Sequence, residues 1–135
     1  MPSEITPLQY PSEAKERYGM AKKILIVDDD TTIVKYLTAL FEDNGYTTTS
    51  AADGVKAFEM LENAPPDLIT LDLQMPEEWG PRFYRKMSKD KKYKNIPVIV
   101  ISGLDGDHAI RNAVAFIRKP FDADKLLGIV KKTIG

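Results

Sequence analysis

The chain alternates short, wholly apolar runs with longer stretches in which apolar residues recur at helical spacing. Ile24-Leu25-Ile26-Val27 is rich in β-branched residues, as a strand buried on both faces requires, and it ends in Asp28-Asp29-Asp30. Over Thr31–Asn44, Ile33, Val34, Leu37, Leu40 and Phe41 share one helical face, with Asp30 as the N-cap and Gly45 as the stop. Tyr46–Ser50 is threonine-rich and predicts a second strand, less hydrophobic and nearer a sheet edge. A second helix is expected over Gly54–Asn63, with Val55, Phe58 and Leu61 facing inward, until Pro65-Pro66 breaks the chain. Leu68–Leu71 is a third buried strand and runs into Asp72. Pro76 through Gly80 reads as a loop. Pro81 then suits the first position of a helix that passes Phe83 and Met87 into the basic stretch Lys86–Lys94. Ile96–Ile101 predicts a fourth strand ending at Ser102. Val114–Ile117 predicts a fifth, stopping at Lys119-Pro120, and Asp122–Thr133 closes the chain as a helix carrying Leu126, Leu127, Ile129 and Val130.

Strands that alternate with helices connect by right-handed crossovers, so the expected fold is α/β with a parallel sheet covered on both faces. Residues 1–21 stand outside this pattern. They contain Pro2, Pro7 and Pro11, scattered charges and no sustained periodicity, and are expected to form a flexible N-terminal extension to a single domain over 22–135.

Composition narrows the chemistry. The 135 residues include no cysteine, which removes disulfides, zinc–thiolate sites and thiol nucleophiles from consideration. Nineteen Lys and Arg against 20 Asp and Glu give a net charge of −1, without the basic excess a general grip on nucleic acid requires. No apolar run approaches the ~18 residues that span a bilayer, and the N-terminus lacks the apolar core of a signal peptide. The expectation is a cytoplasmic protein with no membrane insertion and no direct contact with nucleic acid.

In open parallel sheets, ligands bind at the carboxyl ends of the strands. Four of the five expected strands end there in a residue able to do chemistry: Asp28-Asp29, Asp72, Ser102 and Lys119. Taken singly, each would be an ordinary cap, turn residue or surface charge. Together, with their strands adjacent, they converge on one pocket. Three crowded carboxylates repel one another unless a counter-charge is present. Mg²⁺ supplies it, since it prefers carboxylate, carbonyl, water and phosphate oxygens. Lys119 adds positive charge and Ser102 a hydroxyl donor, an arrangement suited to a phosphoryl group whose charge is spread over its oxygens. Asp72 is then the nucleophile, forming an aspartyl phosphate.

Across Lys22–Gly135 the sequence resembles the receiver domains of two-component response regulators. The resemblance rests on ILIVDDD at 24–30, PDLITLDLQMPEEWG at 66–80, IPVIVISG at 96–103 and FIRKPF at 116–121, in order and at roughly the family's spacing. It implies a flavodoxin-like (βα)5 fold, a five-stranded parallel sheet in the order 2-1-3-4-5 between layers of helices. It further implies that Asp29 meets Mg²⁺ directly, Asp28 through water, and Asp72 as both ligand and phosphoacceptor. The backbone carbonyl of Gln74 is the remaining protein ligand, leaving its side chain free to face the pocket mouth. Ser102 becomes the switch hydroxyl, Phe116 the aromatic switch residue, and Lys119 the phosphoryl partner with a cis bond to Pro120.

The chain also departs from the family pattern. Ser102 and Lys119 are only 17 positions apart, several fewer than usual, so the fourth helix is expected to be shortened to Asp107–Ala113 or frayed. Phe116 lacks the hydroxyl that tyrosine often brings to its position. Trp79 replaces a small residue and either covers the pocket or packs on the following helix. Leu104 cannot orient water, which implies a long-lived acyl phosphate. His108, the only histidine, reads as a solvated loop residue, and Lys86, Lys89, Lys91, Lys92 and Lys94 as a solvated basic face.

The resulting expectation is a signalling switch and not an enzyme in the ordinary sense. A sensor histidine kinase or histidine phosphotransfer protein would supply the phosphoryl group, and a downstream protein would read the changed surface. The alternative is a receiver-like interaction module that is never phosphorylated. A Mg²⁺-dependent phosphatase would need a general acid at position 74, where glutamine stands.

Overall fold

In a computed structural model of the chain, residues 21–76, 79–103 and 112–135 are described. The expectations for the N-terminal extension, Glu77-Glu78, Leu104 and His108 lie outside these residues, as does nearly all of the short helix expected at 107–113.

Five strands form one parallel sheet: β1 (Lys23–Val27), β2 (Thr47–Ala51), β3 (Leu68–Leu71), β4 (Val98–Ser102) and β5 (Ala115–Arg118). Their order is β2-β1-β3-β4-β5, so the chain has the flavodoxin-like topology expected of it. Four helices are described: α1 (Thr31–Glu42), α2 (Gly54–Asn63), α3 (Trp79–Ser88) and α4 (Ala123–Ile134).

The sheet is buried on both faces because successive strand side chains point in opposite directions. Leu25, Val27, Ile69, Leu71, Val98 and Val100 face α2 and α3, meeting Ala57, Leu61, Phe83 and Met87. Ile24, Ile26, Leu68, Ile99, Ile101 and Ile117 face the other way, toward Leu37 and Phe41 of α1 and Leu126 and Val130 of α4. β2 is an edge strand, paired only with β1, which accounts for its exposed Thr49 and Ser50.

Local signals set most of the boundaries. Asp30 caps α1, its carboxylate accepting from the N–H groups of Thr32 and Ile33 at 2.9 and 3.3 Å. Asp53 and Asp122 cap α2 and α4 in the same manner. After α1, Gly45 adopts φ 92°, a left-handed turn that glycine enters without steric cost.

Two expectations are corrected. Val55 does not face inward but is 51% exposed; the buried positions of α2 are Gly54, Ala57 and Leu61. Gly54 takes the inward place instead, where Trp79 lies against it and leaves no room for a larger side chain. The third helix begins at Trp79, ahead of Pro81, which the first turn tolerates because its N–H groups have no intrahelical acceptor.

This orientation of α2 predicts opposite outcomes for two truncations. Leu61→Ala should lower stability by about 2–5 kcal/mol through loss of buried surface and the cavity left behind, whereas Val55→Ala should change it by less than about 0.5 kcal/mol. Urea denaturation of the two variants checks this, and a larger loss at Val55 would reverse the assignment.

Candidate functional site

The sheet ladder carries the key backbone past the ends of the strands. The Asp28 N–H donates to the Ala51 carbonyl at 3.1 Å, the Asp72 N–H to the Val27 carbonyl at 2.9 Å, and the Lys119 N–H to the Ser102 carbonyl at 2.9 Å. Because β1 lies beside β3, with Val27 opposite Leu71, the following residues Asp28 and Asp72 emerge side by side. The carboxylates of Asp28, Asp29 and Asp72 lie within 4.8 Å of one another, with Asp28 and Asp72 buried and Asp29 exposed.

The two buried carboxylates are held alike. One oxygen of Asp28 accepts from the Asp30 N–H at 2.9 Å, and one oxygen of Asp72 from the Gln74 N–H at 3.0 Å. The other oxygen of each faces Lys119, whose Nζ is 2.9 Å from Asp28 Oδ2 and 3.7 Å from Asp72 Oδ2. The Lys119–Pro120 peptide is cis, as the resemblance implies.

These contacts set the charge states. Burial strips water from the ionised Asp28 carboxyl and pushes its pKa up, and the charge of Asp72 adds to the effect. The Asp30 N–H and the Lys119 ammonium oppose it without cancelling it. Burial alone would pull the Lys119 pKa down, but the carboxylates of Asp28, Asp72 and Asp30 outweigh burial and raise it. Three clustered carboxylates, two of them facing one lysine, leave the pocket short of positive charge. An oxygen-rich, net-negative cluster of this kind suits a hard divalent cation.

Ser102 is fully buried at the end of β4, one residue before Gly103. Phe116 lies opposite Val100 in β5, half-buried against the core layer that faces α2 and α3. Asp28, Asp29, Asp72 and Lys119 therefore form the cluster itself, while Phe116 lies further down the sheet.

The Gln74 side chain does not face the pocket mouth freely. Its Oε1 accepts from the Gly103 N–H at 3.1 Å, tying the loop after β3 to the end of β4. Trp79 packs against Gly54 at the start of α2, and Arg82 of the helix it opens lies over its ring at 5.8 Å. Gly80 has a role that sequence reasoning missed. A Cβ there would stand 2.5 Å from the Asp72 carbonyl oxygen and 2.8 Å from Leu73 Cα, so glycine lets α3 begin directly against the backbone of Asp72. The only sequence trace of this is a glycine next to the start of a helix, where many residues would serve.

A parallel α/β sandwich of this order, with acidic residues at the carboxyl ends of two central strands and a lysine after the edge strand β5, has the architecture of a signal receiver domain. The family model for the response regulator receiver domain matches residues 24–131. Protein Rrf1 of Nitratidesulfovibrio vulgaris is 38% identical over 116 residues, covering 85% of this chain and 84% of its own. The polar-differentiation response regulator DivK of Brucella ovis is 31% identical over 121 residues, covering 86% and 98%. Among solved structures, a CheY-like response regulator receiver domain protein from Methanospirillum hungatei superposes with a TM-score of 0.75 at 28% identity, covering 84% of this chain and 94% of its own. The signal receiver domain of a signal transduction histidine kinase from Syntrophus aciditrophicus gives 0.76 at 32% identity, covering 84% and 90%. The chain belongs to the response regulator receiver domain family of two-component signalling.

Two outcomes follow from this geometry. Gly80→Ala should cost about 1–3 kcal/mol by overpacking α3 against the Asp72 backbone; an unchanged urea midpoint would show that the loop yields freely. In the metal-free protein, the folded state keeps a proton on Asp28 between the unfolded carboxyl's pKa and the raised folded value. Asp28 therefore contributes a loss of stability as pH rises through that window. Asp72→Asn should lower the Asp28 pKa, as read by NMR titration of the carboxyl. An Asp28 titration indifferent to the substitution would show that the two charges do not interact.

Proposed function

We propose that this receiver domain is a phosphorylation-controlled switch in a two-component phosphorelay, with Asp72 as the phosphoacceptor. The observation that carries this reading is the buried Asp72 carboxylate, grouped with Asp28 and Asp29 within 4.8 Å and faced by Lys119 Nζ at 3.7 Å. An oxygen of Asp72 attacks the phosphorus of a phosphohistidine on a sensor histidine kinase or histidine phosphotransfer protein. The new O–P bond forms as the P–N bond breaks, and the electron pair returns to the imidazole nitrogen.

Asp28, Asp29, Asp72 and the backbone carbonyl of Gln74 would hold Mg²⁺, with Asp28 acting through water. When bound, the ion would supply positive charge against the phosphoryl oxygens and relieve the repulsion among the carboxylates. Lys119 exchanges part of its contact with Asp28 for the phosphoryl group, and Ser102 donates its hydroxyl. Those contacts favour one of two conformations, which Phe116 reports to a downstream protein by its burial. Moving such a population from mostly off to mostly on takes on the order of 3–5 kcal/mol, within reach of two or three charge-assisted hydrogen bonds.

The chain thus assists its own phosphorylation and dephosphorylation as a regulator. It works in the cytoplasm, as a domain over 22–135 with 1–21 as an extension. No described helix is long and apolar enough to cross a membrane.

Intact-mass spectrometry after incubation with acetyl phosphate and Mg²⁺ tests the reading. The native protein should gain one phosphoryl group and Asp72→Asn none. A gain in both would mean another acceptor. No gain in the native protein, with Mg²⁺ binding demonstrated by thermal stabilisation, would favour the module that is never phosphorylated.

A further inference from the structure

On the sheet face opposite α1 and α4, helices α2 and α3 leave a groove that the phosphoacceptor chemistry does not use. Its upper part is a hollow of about 350 Å³ between Gly54 and Val55 on one side and Trp79, Arg82 and Lys86 on the other. The lower part, about 590 Å³, shares Phe58, Glu62 and Lys86 with it and continues to Lys89, Lys91 and Lys92. The two form one continuous trough.

The floor is apolar. Phe58 lies partly buried between Phe83 and Tyr93, edge-on to both at centroid distances of 6.5 and 5.8 Å. Val55, on the α2 rim, is one of three large hydrophobic side chains left exposed among the described residues.

The walls differ in charge. Glu59 and Glu62 line the α2 side. Arg82 and Lys86 line the α3 side, with Lys89, Lys91 and Lys92 just beyond the end of the helix. Asp90, the acid among these cations, already accepts from the Lys92 N–H at 2.9 Å. Lys86 and Lys92 stand over the Phe58 and Tyr93 rings, at 4.1 and 5.5 Å from the centroids. Among the described residues, none of Lys86, Lys89, Lys91 and Lys92 is ion-paired to a carboxylate. An apolar trough with one wall of unpaired lysines is complementary to an apolar stripe edged with carboxylates.

We propose that the α2–α3 groove docks an amphipathic helical segment of a partner protein, whose apolar stripe covers Val55 and Phe58 and whose acidic edge meets Lys86, Lys89 and Lys92. Such a segment buries the exposed valine and gives the lysines the counter-charges the fold does not provide. The proposal does not depend on phosphorylation, because the groove contains none of the carboxylates of the cluster.

Trp79, the only tryptophan of the chain, lines the groove and reports its occupancy directly. The intact chain is titrated with a synthetic amphipathic helix of leucine and glutamate, with its leucine–lysine counterpart, and with phosphatidylglycerol vesicles. The leucine–glutamate helix should shift Trp79 emission saturably and the other two should not. Val55→Glu and the pair Lys89→Glu with Lys92→Glu change exposed positions, so the fold should persist by circular dichroism, and each should weaken binding about tenfold. Equal binding of the lysine helix, no response to the glutamate helix, or affinity unaffected by either variant would overturn the proposal. A response to vesicles alone would overturn it in favour of a lipid headgroup surface.

Discussion

The constraint on which this molecule depends is the crowding of three carboxylates at one end of a parallel sheet. Asp28 and Asp72 are forced together because β1 and β3 are neighbours in register, and neither side chain can retreat into water. Each is pinned by a backbone N–H two residues on, which orients one oxygen and leaves the other facing Lys119. A lone buried carboxylate would lower its cost by staying protonated. Here a single ammonium serves two carboxylates at unequal distances, 2.9 Å from Asp28 and 3.7 Å from Asp72, and it does not offset the burial of Asp28. The residual negative charge makes the pocket receptive to a cation, and the looser contact leaves Asp72 the more available of the two buried carboxylates.

Much of this was legible in the sequence, for a physical reason. A strand buried on both faces must be largely apolar, so the first charged or polar residue at its end marks where the chain leaves the core. Asp28, Asp72 and Ser102 each stand at such a transition, and Lys119 follows one residue after another, behind Arg118. The order of the strands came from the family resemblance, since apolar runs alone do not say which strand lies beside which. The face of α2 was not legible. Val55 is more hydrophobic than Ala57, yet Ala57 is buried and Val55 exposed, in a helix whose Gly54 lies against Trp79. That contact joins residues 25 positions apart, and helical periodicity cannot see it. The hydrogen bond from Gly103 to Gln74 was hidden in the same manner, since a glutamine in a loop says nothing of the partner that its side chain finds 29 residues away.

The carboxylate cluster and the α2–α3 groove are separate in chemistry but share a mechanical element. Helix α3 starts with Trp79, which meets α2, and Gly80, which meets the backbone of Asp72 without the clearance for even a methyl group. Close-packed contacts transmit displacement because they cannot absorb it as empty space would. A shift of the Asp72 backbone of a few tenths of an ångström must therefore move the first turn of α3, displace α2 through Gly54, or distort the loop between them. The first two outcomes change the width of the groove where Val55 and Trp79 face each other. The tight glycine behind Asp72 and the tryptophan beside it thus form a short chain of contacts from the carboxylate cluster to the groove, separate from β5 and Phe116. A partner helix lying in the groove would act on the same route in reverse, because whatever energy couples the two sites must act equally in both directions.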